Sequence, residues 1–151
     1  MSKTFCAACL EGHCEIVDCF IKAAFRVGGE QKVANLVNKM EELGQIYPSE
    51  DCAEHSPLWY ASLRDNVDTV NLLLANKADV EQRLSIQFRT PLIVAVCECN
   101  AAVVSRLLKH GADPNAAYVG NAPGGFMEMA IFDTTPEIVE LLLKHGFRIE
   151  P

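Results

Sequence analysis

Four short apolar signatures recur along the 151-residue chain at nearly constant spacing, and no other feature limits the fold as tightly. The pairs Ile16-Val17, Thr69-Val70, Val103-Val104 and Ile138-Val139 each lead into an apolar cluster: Cys19-Phe20-Ile21, Leu72-Leu73-Leu74, Leu107-Leu108 and Leu141-Leu142-Leu143. The four valines are separated by 53, 34 and 35 residues. Nine residues before each valine stands a small residue, Ala8, Ala61, Ala95 or Ala130, and three residues earlier an apolar one, Phe5, Leu58, Leu92 or Met127. A unit of about 34 residues cannot bury an apolar face alone, so such units stack on one another.

Local signals give each unit two helices. Ser56-Pro57-Leu58 and Thr90-Pro91-Leu92 are helix starts. The hydroxyl caps orphan N–H groups, and proline is tolerated at the first helical position. A short helix follows with the small residue at its centre, where a neighbour must come close. A second helix carries the Val/Leu stripe at helical spacing and ends at Asn76-Lys77, His110-Gly111 or His145-Gly146. Lys109, His110, Lys144 and His145 sit at helix C-termini, where cations are favoured. Extended segments then lead to a turn, as in Ala78-Asp79-Val80-Glu81 and Ala112-Asp113-Pro114-Asn115.

With these residues in place the chain resembles the ankyrin-repeat family. Thr90-Pro91-Leu92, Ala95 and the run from Val103-Val104 through Leu107-Leu108-Lys109-His110-Gly111-Ala112-Asp113-Pro114-Asn115 carry the resemblance best. It extends over the chain apart from residues near 24–55. It implies an all-α fold: an α-solenoid of stacked helix-turn-helix repeats with hairpin-like finger loops. The expected units are 1–29, 56–89, 90–124 and 125–151 of a single domain. Several positions depart from the family pattern. Trp59 and Ile93 replace the histidine after Pro-Leu. Asp65-Asn66, Cys99-Asn100 and Thr134-Thr135 replace the Gly-His turn kept at Gly12-His13, and Gly124-Gly125-Phe126-Met127 stands where Thr-Pro-Leu belongs.

An insertion separates the first two units, at about 30–55. Val33, Leu36, Val37, Met40 and Leu43 recur at helical spacing, predicting one extra amphipathic helix over 30–43, with Gly28-Gly29 before it and Gly44 closing it. It is read either as an elongated second helix or local elaboration packed on unit one, or as a partner-binding appendage. In the last helix, Glu137, Glu140 and Lys144 supply the polar outer face that a terminal repeat needs.

Composition narrows the function. Lys and Arg total 13 against 20 Asp and Glu, a net charge of −7, and Lys and Arg never stand side by side. Neither nucleic acid nor a membrane is therefore an expected partner. No apolar run approaches the ~20 residues of a membrane span, and the N-terminus does not read as a secretory signal. Seven cysteines, an odd count, read as free thiols and place the protein in the cytoplasm or nucleus.

The chemical candidates are weak. Cys6, Cys9, Cys14 and Cys19, with His13, have zinc-like spacing, which keeps a zinc protein as an alternative from another class. The same residues occupy repeat positions where buried thiols act as small apolar groups. Residues 120–125 are glycine-rich but lack the Lys-Ser/Thr of a phosphate loop. The histidines do not converge on a catalytic order. No cofactor and no enzymatic activity are expected.

What remains is surface. In an ankyrin-like stack the finger loops and first helices form a binding wall. The expected groove residues are Trp59, Leu63, Arg64, Glu98, Phe132 and Asp133. The expected finger residues are Arg83, Gln87, Phe88, Arg89 and Tyr118, of types that often anchor interfaces. The sequence thus reads as a monomeric, non-catalytic adaptor or scaffold for a protein partner. Its rivals are a stand-alone inhibitor resembling NF-κB inhibitors and the substrate-receptor part of a ubiquitin ligase.

Overall fold

A computed structural model describes residues 2–43, 54–83, 89–116 and 133–148. Within them the chain is built from helix pairs in two layers. The inner helices are α1 (Ser2–Glu11), α3 (Pro57–Leu63) and α5 (Pro91–Cys97). The outer helices are α2 (Cys14–Val37), α4 (Val67–Ala75), α6 (Ala101–Lys109) and α7 (Pro136–Lys144). Inner helices pack in series, α1 on α3 on α5, and outer helices do the same, α2 on α4 on α6 on α7. The expected fingers at 84–88, the fourth unit's entry at 124–127 and the rest of 117–132 lie outside the described residues.

The helix starts follow the sequence. Ser56 Oγ accepts the Trp59 amide and Thr90 Oγ1 the Ile93 amide, both at 3.2 Å, with Pro57 and Pro91 opening the helices. Both capping residues are buried, so each hydroxyl satisfies a donor that water does not reach.

The helix ends repeat too. After α4, α6 and α7 the chain turns through a left-handed residue, Lys77 (φ 63°), Gly111 (φ 89°) or Gly146 (φ 92°). In each case the next amide closes back five residues: Ala78 to Leu73, Ala112 to Leu107 and Phe147 to Leu142, at 3.0–3.1 Å. This is the Schellman arrangement, which satisfies the helix's last carbonyls. Inner helices end the same way, at Gly12, Asp65 and Cys99, with the aligned Ala8, Ala61 and Ala95 carbonyls accepting from His13, Asn66 and Asn100. Gly12 is needed twice over. Its φ is 73°, and a Cβ there would collide with the Asn66 side-chain amide.

The insertion takes one of its expected forms, an elongated second helix, but over a shorter span. The extra helix is not separate: it continues α2 beyond a kink at Gly28 and Gly29, where Gly29 adopts φ 60° and ψ −154°. It ends at Val37, with Asn38 as its cap, so residues 39–43 are not helical. Instead the chain returns and pairs Glu41 with His55 in an antiparallel bridge. Helical spacing alone could not mark this stop, because Met40 and Leu43 still satisfy the period.

Asn38 shows why the helix stops there. Its Oδ1 accepts the Asp79 amide at 2.8 Å and its Nδ2 donates to the Lys77 carbonyl at 3.3 Å. Asn115 does the same one interface later, accepting from the Arg148 amide at 2.9 Å and donating to the Gly146 carbonyl at 3.0 Å. Each side chain thus ties one return loop to the next. Asn38 is reached twenty-one residues after Val17, whereas Asn115 follows Val104 by eleven. About half of the insertion therefore lies within the first unit's outer arm, before the shared loop position.

The same position in the second unit is Glu81. Its Oε1 accepts the Asp113 amide at 2.9 Å, but a carboxylate has no proton to donate onward. Burial raises the Glu81 pKa, so the folded state holds its proton to higher pH than the unfolded chain does. That contribution favours folding below the ordinary glutamate range and is lost as pH rises through the raised folded value. Glu81→Asn would restore the two-way tie used at Asn38 and Asn115 without a buried charge. Thermal unfolding is expected to show a gain of about 1 kcal/mol at pH 7, or a few degrees in Tm, shrinking toward pH 4. An unchanged or lower Tm at pH 7 would contradict this account.

Candidate functional site

The apolar residues divide into two clusters. The larger joins the layers: Val17, Val70, Val104, Leu73, Leu107, Ile138 and Leu142 are fully buried in it. Of the four aligned valines, only Val139 is half-buried. The smaller cluster holds Cys6, Leu10, Tyr60, Leu63 and Val94, all from inner helices, with Leu43 and Trp59 packed against it.

This smaller cluster changes the reading of the groove. Leu63, expected on an open face, is 9% exposed and packs with Leu10 and Tyr60. The insertion reaches the same cluster: Leu43 packs against it, and Tyr60 Oη donates to the Glu41 carbonyl at 2.9 Å and accepts the Leu43 amide at 3.1 Å. The segment at 41–43 is thereby tied to α3, and burial pushes the Tyr60 phenol up to about 12. Trp59 is half-buried beside it. Its indole stacks on His55 with ring centroids 3.8 Å apart and planes 8° off parallel, while Tyr60 meets it edge-on at 5.3 Å. His55 also pairs with Glu41 across the bridge, which joins the stacked rings to the inserted segment.

The polar candidates lie elsewhere. Glu11, Arg64, Glu98 and Asp133 occupy one repeat position and all four are exposed; the first three lie at or just past the ends of α1, α3 and α5. Together they form a row across the layers, acidic except at Arg64. Asparagines hold the layers beneath this row in register. Asn66 Nδ2 donates to the Cys9 and Leu10 carbonyls at 3.1 and 2.8 Å, and Asn100 Nδ2 to the Ser62 carbonyl at 2.9 Å. Cys99 Sγ lies 3.7 Å from the Asp133 carbonyl and extends the tie to the fourth unit. Arg83 and Arg89, which flank residues 84–88, are half-buried. Gln87, Phe88, Tyr118 and Phe132 lie outside the described residues.

The described cysteines differ in burial. Cys6 and Cys9 are buried in different clusters, whereas Cys14 is half-buried and Cys19 exposed on α2. Burial raises the Cys6 thiol to about 12 and pushes the Cys9 thiol up further. The zinc alternative needs Cys6, Cys9, Cys14 and Cys19 together, whereas Cys6 and Cys9 lie in different clusters and Cys19 is exposed on α2. Among the described residues, no group of three or more His, Cys, Asp or Glu side chains is placed to hold a metal. His110 and His145 play matching structural parts. Each Nδ1 lies 2.9 Å from the carbonyl four residues back, on Arg106 and Leu141. A carbonyl only accepts, so each Nδ1 carries its proton toward the helix end.

Thiol labelling checks this arrangement. With a maleimide at pH 7.5, Cys19 and Cys99 are expected to react within minutes, and Cys6 and Cys9 only after denaturation, as read by peptide mass spectrometry. Rapid labelling of Cys6 or Cys9 in the native protein would contradict their burial.

No helix among the described residues is long and apolar enough to cross a membrane. A comparison with curated proteins gave no match. Residues 4–118 match the family model for ankyrin repeats in three copies. Ankyrin repeats are generally protein–protein interaction modules and typically non-catalytic. The paired helices, the repeated Schellman ends and this match over most of the length place the chain in the ankyrin-repeat family.

Proposed function

We propose that the chain is a non-catalytic adaptor or scaffold, acting in the cytoplasm or nucleus, which holds a protein partner along its inner edge and finger loops. The observation that carries this reading is the exposed row of Glu11, Arg64, Glu98 and Asp133, one residue per layer, fixed by the asparagine ties beneath it. A flat row of rigidly spaced charges is poorly suited to enclosing a small substrate but well suited to a long, complementary surface. Arg64 stands between Glu11 and Glu98, so a fitting partner offers an acidic group flanked by basic ones.

The repeat spacing adds Arg83, Gln87, Phe88, Arg89 and Tyr118 as expected finger residues and Trp59 and Phe132 as expected groove residues to this proposed contact. Arginine and aromatic side chains are the types that most often carry binding energy when a partner desolvates them.

Affinity capture with quantitative mass spectrometry tests the reading. Arg64→Glu and the pair Arg83→Glu with Phe88→Ala are each expected to keep the helical circular dichroism spectrum and to lose at least about tenfold of one specific captured protein. If every such variant captures the same proteins as the parent chain, the edge and finger are not the binding surface.

A further inference from the structure

Successive return loops are joined by one kind of bond pair, and the middle interface holds only half of it. Asn38 accepts the Asp79 amide and donates to the Lys77 carbonyl; Asn115 accepts the Arg148 amide and donates to the Gly146 carbonyl. In both ties the carbonyl belongs to the left-handed residue that ends an outer helix, and the amide lies two residues beyond it. Glu81 follows Val70 by eleven residues, as Asn115 follows Val104. Its Oε1 accepts the Asp113 amide at 2.9 Å, again two residues beyond a left-handed helix end, Gly111. The longer side chain thus reaches the same amide, and the repeat makes the Gly111 carbonyl the counterpart of the Lys77 and Gly146 carbonyls. A carbonyl and a carboxylate both only accept, so an ionised Glu81 leaves that half of the tie without a hydrogen.

The surroundings favour supplying that hydrogen as a proton. Glu81 is half-buried, with Asp79 and Arg83 facing it from its own loop and Asp113 from the next. The Asp79 carboxylate accepts the Glu81 amide at 3.0 Å and the Asp113 carboxylate the Asn115 amide at 2.8 Å, so both acids are held in place beside it. Burial raises the Glu81 pKa most. The Asp113 amide and the Arg83 guanidinium pull it down, the Asp113 and Asp79 carboxylates push it up, and the balance is a raised value.

We propose that Glu81 is a proton-operated latch between the second and third return loops, its protonated carboxyl donating to the Gly111 carbonyl while the other oxygen keeps the Asp113 amide. Protonation thereby completes the two-way tie that Asn38 and Asn115 make with their amides. Loss of the proton to water leaves the accepting half alone. Of the three ties only this one titrates, because an asparagine amide neither gains nor loses a proton in this range. The latch closes as pH falls: the folded chain holds the proton where the unfolded chain has released it, and the contribution is lost as pH rises through the raised folded value. It does not depend on the partner-binding edge.

Carbon-detected NMR of the isotope-labelled chain, titrated from about pH 3 to about pH 8, tests the latch. The Glu81 carboxyl is expected to titrate above the ordinary glutamate value of 4.5, and the Gly111 carbonyl carbon to shift with the same midpoint. Glu81→Gln is neutral and both accepts and donates, so it holds the latch closed at every pH. In that variant the Gly111 carbonyl is expected to stay still, which separates the effect of Glu81 from titration of Asp79 and Asp113. In urea, the unfolding constant of the parent chain is expected to be roughly fivefold that of Glu81→Gln at pH 7.5 and to approach it near pH 4. A Glu81 midpoint at or below the ordinary value, a Gly111 carbonyl that does not follow it, a shift that persists in Glu81→Gln, or an unfolding ratio that does not change with pH would overturn the proposal.

Discussion

No layer of this protein can bury its own apolar face, and the whole structure depends on each layer lending cover to the next. Val70, Leu73, Val104 and Leu107 are shielded because a second helix pair lies against each of them. The energy is that of apolar area removed from water, gained once per interface rather than once per unit. The same rule accounts for the two outermost described layers. Ile16 and Val139 match buried residues in other layers, yet they are partly open because each has a described neighbour on one side alone.

Directional bonds keep those layers in register. Hydrophobic contact is indifferent to small slips, whereas the asparagine ties are not. Asn66 and Asn100 fasten each outer helix start to the inner helix end of the preceding layer. Asn38 and Asn115 join successive return loops on both a donor and an acceptor. Glu81 makes half of that tie and keeps a charge where water is scarce. The exposed row at Glu11, Arg64, Glu98 and Asp133 inherits its spacing from this framework, and that is why it suits recognition of an extended surface.

The insertion adapts the array at its first two layers. Its helical part extends the outer arm through a glycine kink, and its return segment closes part of the inner face through Tyr60. The inner surface is therefore narrower near α1 and α3 than a plain stack would make it. His55, Trp59 and Tyr60 pack together where an uninterrupted repeat would leave an open groove.

Much of this is legible from residue order alone, because it rests on short-range physics. The hydroxyl-proline helix starts, the left-handed ends at Gly111 and Gly146 and the stripe through Val17, Val70 and Val104 need only neighbours within one or two turns to be recognised. What the tertiary structure alone decides depends on residues far apart in the chain. Helical periodicity carries the inserted helix to Leu43, but it ends at Val37, where Asn38 instead accepts the Asp79 amide of a distant loop. Leu63 reads as open from its repeat position, but it is buried in a cluster against which Leu43, twenty residues earlier, also packs. Ile16 has the same stripe position as its buried counterparts, and only the layer packed before each of those distinguishes them from it. Burial is a property of the assembled stack, and no single repeat records which neighbours it has.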